Sequence, residues 1–174
     1  MKHDLSQVNI GQGLGAVKFG ISPDDLKKIL GEPDDIDFFS YDEIDEFFEG
    51  DEEDYEESEG DSESWHYDDI DASFTFELGD GDWRLISIAS SDAELAFLGE
   101  TLMGTSMQEI AKFVEKTDLG SYVIEDYSNE DFPNHKLMYF DAKSLYLWFL
   151  DEQLSEIQWG VLWKDEETPL WPPA

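Results

Sequence analysis

The feature that most constrains this chain is a helix pattern that occurs twice with the same spacing. Gly20-Ile21-Ser22-Pro23-Asp24-Asp25-Leu26 continues through Lys28 to Ile29-Leu30, and Gly104-Thr105-Ser106-Met107-Gln108-Glu109-Ile110 continues through Lys112 to Phe113-Val114. In each, a serine N-cap stands three residues before an acid, a capping box or its close variant. Pro23 suits a first helical turn, and Gly31 with Pro33 ends the first helix. The apolar positions that follow each cap form a stripe, so each helix must bury one face.

After each helix come three runs with strand character. Trp65 to Tyr67, Ala72 to Leu78 and Trp83 to Ala89 follow the first, with the turn Gly79-Asp80-Gly81-Asp82 between the last two. Lys136 to Phe140, Ser144 to Leu150 and Leu154 to Leu162 follow the second, joined through Asp141-Ala142-Lys143 and Asp151-Glu152-Gln153. Alternating Leu145, Leu147 and Phe149 mark one buried face, which leaves Tyr146 and Trp148 on the other. The expected fold is α+β: an internally duplicated helix–β-meander unit forming a mainly antiparallel sheet with helices on one face. Residues 1–92 would hold the first repeat, with an acidic insertion at 34–64, and residues 93–174 the second repeat and a tail, in one compact body. At 174 residues the chain suits one shared core better than two independent ones.

The insertion carries much of the charge. From Asp34 to Ser64, 17 of 31 residues are acidic and none is basic, while the whole chain has 44 acidic against 10 Lys and Arg, a net charge of -34. Self-repulsion favours an extended, solvated segment. Phe38-Phe39, Ile44 and Phe47-Phe48 are expected on one face of a short helix within it. A field of this sign repels nucleic acid and anionic membrane and steers basic proteins inward. Asp51, Glu52, Glu53, Asp54, Tyr55, Glu56 and Glu57, with Tyr146 and Trp148, are the candidate partner-binding residues.

Signals for catalysis are weak. With no cysteine, disulfides, thiol nucleophiles and thiolate metal sites are excluded. His3, His66 and His135 lack metal-ligand spacing, and Asp80-Gly81-Asp82 reads as a turn rather than a calcium loop. Gly11-x-Gly13-x-Gly15 lacks the lysine of a phosphate loop and is expected to be a flexible entry loop. No cofactor, metal or catalytic group is assigned, and the chain is expected not to be an enzyme. Trp163 and Trp171 in the tail could strap the core. Met1 to Gly15 has no apolar stretch of secretory length, and no run is long enough to span a bilayer, so a cytoplasmic location is expected.

The paired Gly-Ile/Thr-Ser-x-x-Asp/Glu-Leu/Ile-x-Lys helices, each before a three-stranded meander, resemble the tandem units of the β-lactamase inhibitor protein and the related outer-membrane-assembly lipoproteins. In general character the chain is also similar to small acidic immunity proteins that neutralise bacterial toxins. The resemblance covers about Gly13 to Leu162. The envelope families are exported, and their lipoproteins carry an acylated cysteine that this chain lacks. What the resemblance and the charge together imply is an acidic inhibitor that neutralises a basic, nuclease-like toxin domain. The alternatives are a regulatory or structural interaction protein, and a carboxylate-dependent hydrolase.

Overall fold

A computed structural model of the chain describes residues 7–39, 62–79, 82–164 and 168–171. The capped segments are helices, α1 at Pro23–Leu30 and α2 at Met107–Glu115. Ser22 Oγ accepts the amide of Asp25 at 3.2 Å, and Ser106 Oγ that of Glu109 at 3.3 Å, which satisfies one of the orphan donors in each first turn.

The main sheet has eight antiparallel strands. In chain order they are β4 (Asp35–Phe39), β5 (Ser62–Tyr67), β6 (Ala72–Gly79), β7 (Asp82–Ser90), β10 (Val123–Asp126), β11 (His135–Phe140), β12 (Leu145–Leu150) and β13 (Gln153–Gly160). Their spatial order, β10-β11-β12-β13-β7-β6-β5-β4, joins the two meanders at their last strands, β13 beside β7. A smaller sheet contains β1 (Gln7–Asn9), β2 (Gly13–Leu14), β3 (Val17–Lys18), β8 (Ala96–Phe97) and β9 (Glu100–Thr101), with β1 and β8 parallel. The architecture is α+β, mostly antiparallel sheet with two helices.

The interior is built in rows. Trp65, Phe74, Ile88, Trp159, Leu145 and Phe140 face one another across six consecutive strands, and all six are buried. Leu26 of α1, Ile110 and Val114 of α2, and Val8, Leu14 and Phe97 of the smaller sheet complete the same apolar cluster. Both helices and the smaller sheet therefore pack on one face of the large sheet.

Two expectations need correction. Phe38 and Phe39 lie in strand β4, not in a helix, because Asp35–Phe39 pairs along its length with Ser62–His66. Ile44 and Phe47-Phe48 lie outside the described residues. The glycine-rich segment is no flexible loop: Gly13 sits in β2, where a Cβ would meet the Val17 carbonyl oxygen at 2.0 Å, and its carbonyl accepts Trp159 Nε1–H at 2.9 Å. The tail does fold back. Trp171 packs against Gly20 and beneath the Arg84 guanidinium, while Trp163 stays 44% exposed in β14 (Leu162–Trp163), paired with β15 (Pro169–Leu170).

Candidate partner-binding face

The side chains on the other face of the large sheet follow from the two-residue period of a strand. Along β12, Leu145, Leu147 and Phe149 point into the core, and Tyr146, Trp148 and Leu150 point away and stay half-buried. Cross-strand pairing then gathers residues that are far apart in sequence. One row runs Val123, Tyr139, Tyr146, Gln158, Ala89, Ser73, His66, Asp35, crossing all eight strands. A second runs Glu125, Leu137, Trp148, Glu156.

These rows divide the face in two. Over β10 to β13 it is aromatic: Tyr139 and Tyr146 stack at 6.1 Å between centroids, and Trp148 meets Tyr127 at 5.4 Å and His135 at 5.1 Å. Phe132, 49% exposed, continues the patch against His135. Leu137 is only 5% exposed yet lies outside the core cluster, so it is shielded by its neighbours on this face. Over β5 to β7 the face carries small polar side chains, with Ser64 and Thr75 joined through their hydroxyls at 2.9 Å.

Carboxylates frame the aromatic half. Glu125 Oε2 accepts the Tyr127 hydroxyl at 2.5 Å, and this hydrogen bond, with burial and the Glu125 charge, holds the Tyr127 phenol above its ordinary pKa. The charge of Glu125 is the main cause of the same upward shift at Tyr139. Glu156 is pushed above the usual glutamate range by desolvation, which the charge of His135 partly offsets. A carboxyl whose pKa rises on folding stabilises the fold below its unfolded pKa, and that contribution is lost as pH climbs through the folded value. Urea denaturation across the carboxylate range should therefore show wild type losing stability relative to Glu156→Gln as pH rises. The opposite trend would contradict the buried-carboxylate account.

Of the residues singled out from sequence, Tyr146 and Trp148 stand together on this face, while Asp51, Glu52, Glu53, Asp54, Tyr55, Glu56 and Glu57 lie outside the described residues. Sequence reasoning missed Tyr127, Phe132, Tyr139 and Glu156, and treated His135 only as an isolated histidine. The signal available was the register: alternation in β12 already fixes the outward face, and its pairing with β11 and β13 names the neighbours.

Sequence reasoning also missed a hydrogen-bonded chain on the polar half. His66 Nδ1 lies 2.7 Å from Ser73 Oγ, and its Nε2 lies 2.8 Å from Asp37 Oδ2. These residue types make a nucleophilic triad elsewhere, but acyl transfer also needs donors aimed at a developing oxyanion. Ser73 sits inside the sheet, paired with His66 on one side and Ala89 on the other, so its surroundings are laddered backbone. The chain of bonds ties β4, β5 and β6 together. Among the described residues, no group of three or more His, Asp or Glu side chains is placed to hold a metal ion. No helix among them is long and apolar enough to cross a membrane.

Fold and face thus define an α+β protein with one side of its sheet left uncovered by its described helices and strands. No protein-family model matches the chain, and no curated protein matches it. Among solved structures it is similar to an extracellular protein containing a SCP domain from Bacillus anthracis str. Ames, at 10% identity and a TM-score of 0.41. That alignment covers 82% of this chain but 43% of the other, so the chain spans less than half of that protein's length. The likeness is too slight to transfer a fold or a function.

Proposed function

We propose that this protein is an acidic, protein-binding inhibitor of the immunity kind, capturing a basic and nuclease-like toxin domain on the aromatic half of its uncovered sheet face. The observation that carries the reading is the placement of Tyr146, Trp148, Tyr127 and Tyr139 on one face, with Glu125 and Glu156 at the two ends of the Trp148 row, on a chain of net charge -34. Half-exposed aromatics within a polar frame are the side chains that dominate binding energy at protein interfaces. The charge selects the partner's sign: a basic surface is drawn in, and a second copy of this chain is repelled. Carboxylates can occupy the places where a nuclease holds phosphates, so capture would also block the substrate surface. The acidic run Asp51 to Glu57 would extend the attracting field. On this reading the protein acts in the cytoplasm and without catalysis.

We also infer that the scaffold is a duplicated unit. Support comes from matched details: both helices carry a serine cap, and each meander has a one-turn 3-10 helix between its first two strands. That turn ends in a left-handed residue, Asp71 at φ 49° and Ser144 at φ 48°. The second and third strands of both meanders also carry a register shift, between Thr75 and Phe76 and between Trp148 and Phe149.

The test is capture from native cells with the full chain as bait, at low and at high salt. A basic protein retained at low salt and released as screening shortens the field is the expected result. Retention of an acidic or neutral protein, indifferent to salt, would sink the reading.

A further inference from the structure

We propose that Trp148 and Glu156 form a receptor for a single guanidinium group, so that the captured protein presents an arginine to this point. The proposal rests on the partner-binding reading of the face and adds the chemistry recognised there.

Glu156 stands directly across from Trp148 on the neighbouring strand, and its side chain is half-buried. Burying a carboxylate is costly unless a cation or several donors compensate it. Among the described residues no Lys, Arg or His lies within ion-pair distance of Glu156. His135, whose charge partly offsets the desolvation of Glu156, also packs on Trp148. Lys136, in the next strand but one, pairs with inward-facing Phe149 and so belongs to the opposite face. The described residues therefore leave the negative charge of this site largely uncompensated.

The indole beside it is held in place. Trp148 Nε1–H donates to Gln158 Oε1 at 3.2 Å, its carbonyl accepts the Ser155 hydroxyl at 3.1 Å, and Tyr127 and His135 brace the ring. A fixed aromatic surface next to a desolvated carboxylate suits a flat, weakly hydrated cation that can stack and hydrogen-bond at once. Guanidinium has those properties, whereas an ammonium is compact and strongly hydrated. Glu125, beyond Leu137 in the same row, adds potential of the same sign.

The test needs no partner. The full chain, labelled with nitrogen-15, is titrated with N-acetyl-arginine amide and separately with N-acetyl-lysine amide, following the Trp148 indole N–H signal, which is assigned by its loss in Trp148→Phe. The expected result is saturable movement of that signal with about fivefold tighter binding of the arginine compound, because the planar guanidinium can stack on the indole and hydrogen-bond the carboxylate at once. Glu156→Gln should erase the preference, and Glu156→Asp should keep part of it. Equal response to both compounds, or a preference that survives Glu156→Gln, overturns the proposal. A partner footprint on this face without the arginine preference would remove the guanidinium receptor and leave the binding face standing. An arginine preference with the footprint elsewhere would do the reverse.

Discussion

Trp159→Ala is expected to destabilise the folded chain by about 3–5 kcal/mol, the usual cost of removing a buried tryptophan or phenylalanine side chain. Trp159 is fully buried at the centre of the inward row, between Ile88 of one meander and Leu145 of the other. Its indole N–H also donates to the Gly13 carbonyl, which ties the smaller sheet to the larger across 146 residues of sequence. The substitution thus opens a cavity where the two meanders join and leaves a buried carbonyl without its donor. Trp159→Phe separates the two terms: most of the ring volume remains, and a loss of about 1–3 kcal/mol is expected for the unpaired carbonyl together with the smaller ring. Urea denaturation measures both. A loss below about 1 kcal/mol for the alanine variant, against a total stability of about 5–15 kcal/mol for a domain, would show that this row does not hold the core.

The second large effect belongs to binding. Trp148→Ala should weaken affinity for the captured basic protein by about 2 kcal/mol, roughly 30-fold, as expected for a central aromatic anchor. Trp148 lies outside the core, so its removal should disturb folding much less than the loss of Trp159. Ser87→Ala, on the polar half of the face, is the control and should change affinity by less than about 0.5 kcal/mol. Titration calorimetry with the purified pair checks both. Equal effects from the two variants would place the anchor elsewhere.

The contrast between these two tryptophans also shows where sequence reading reaches its limit. Local signals were legible: Ser22 and Ser106 cap their helices as their spacing predicts, and alternation in Leu145 to Leu150 separates the buried face from the outward one. Short strands were not legible. Gly13–Leu14 and Val17–Lys18 are two residues each, too short for any period, and their glycines read as slack until packing against Val17 and Trp159 is known. Phe38-Phe39 fits a helical stripe or a strand equally well, and pairing with β5 decided it. The site has the same logic. Tyr146 and Trp148 could be chosen from one strand, whereas Glu125, Tyr127, His135 and Glu156 join them only through the register of three further segments, and register is a long-range property.

The most direct test of the proposed function is a hydrogen-exchange footprint of the full chain with its captured basic partner. The prediction is that protection on binding concentrates in β10 to β13, around Tyr139, Tyr146 and Trp148, and disappears together with affinity in Trp148→Ala. Protection confined to α1 and α2, with the aromatic face exchanging as in the free protein, would contradict the central claim.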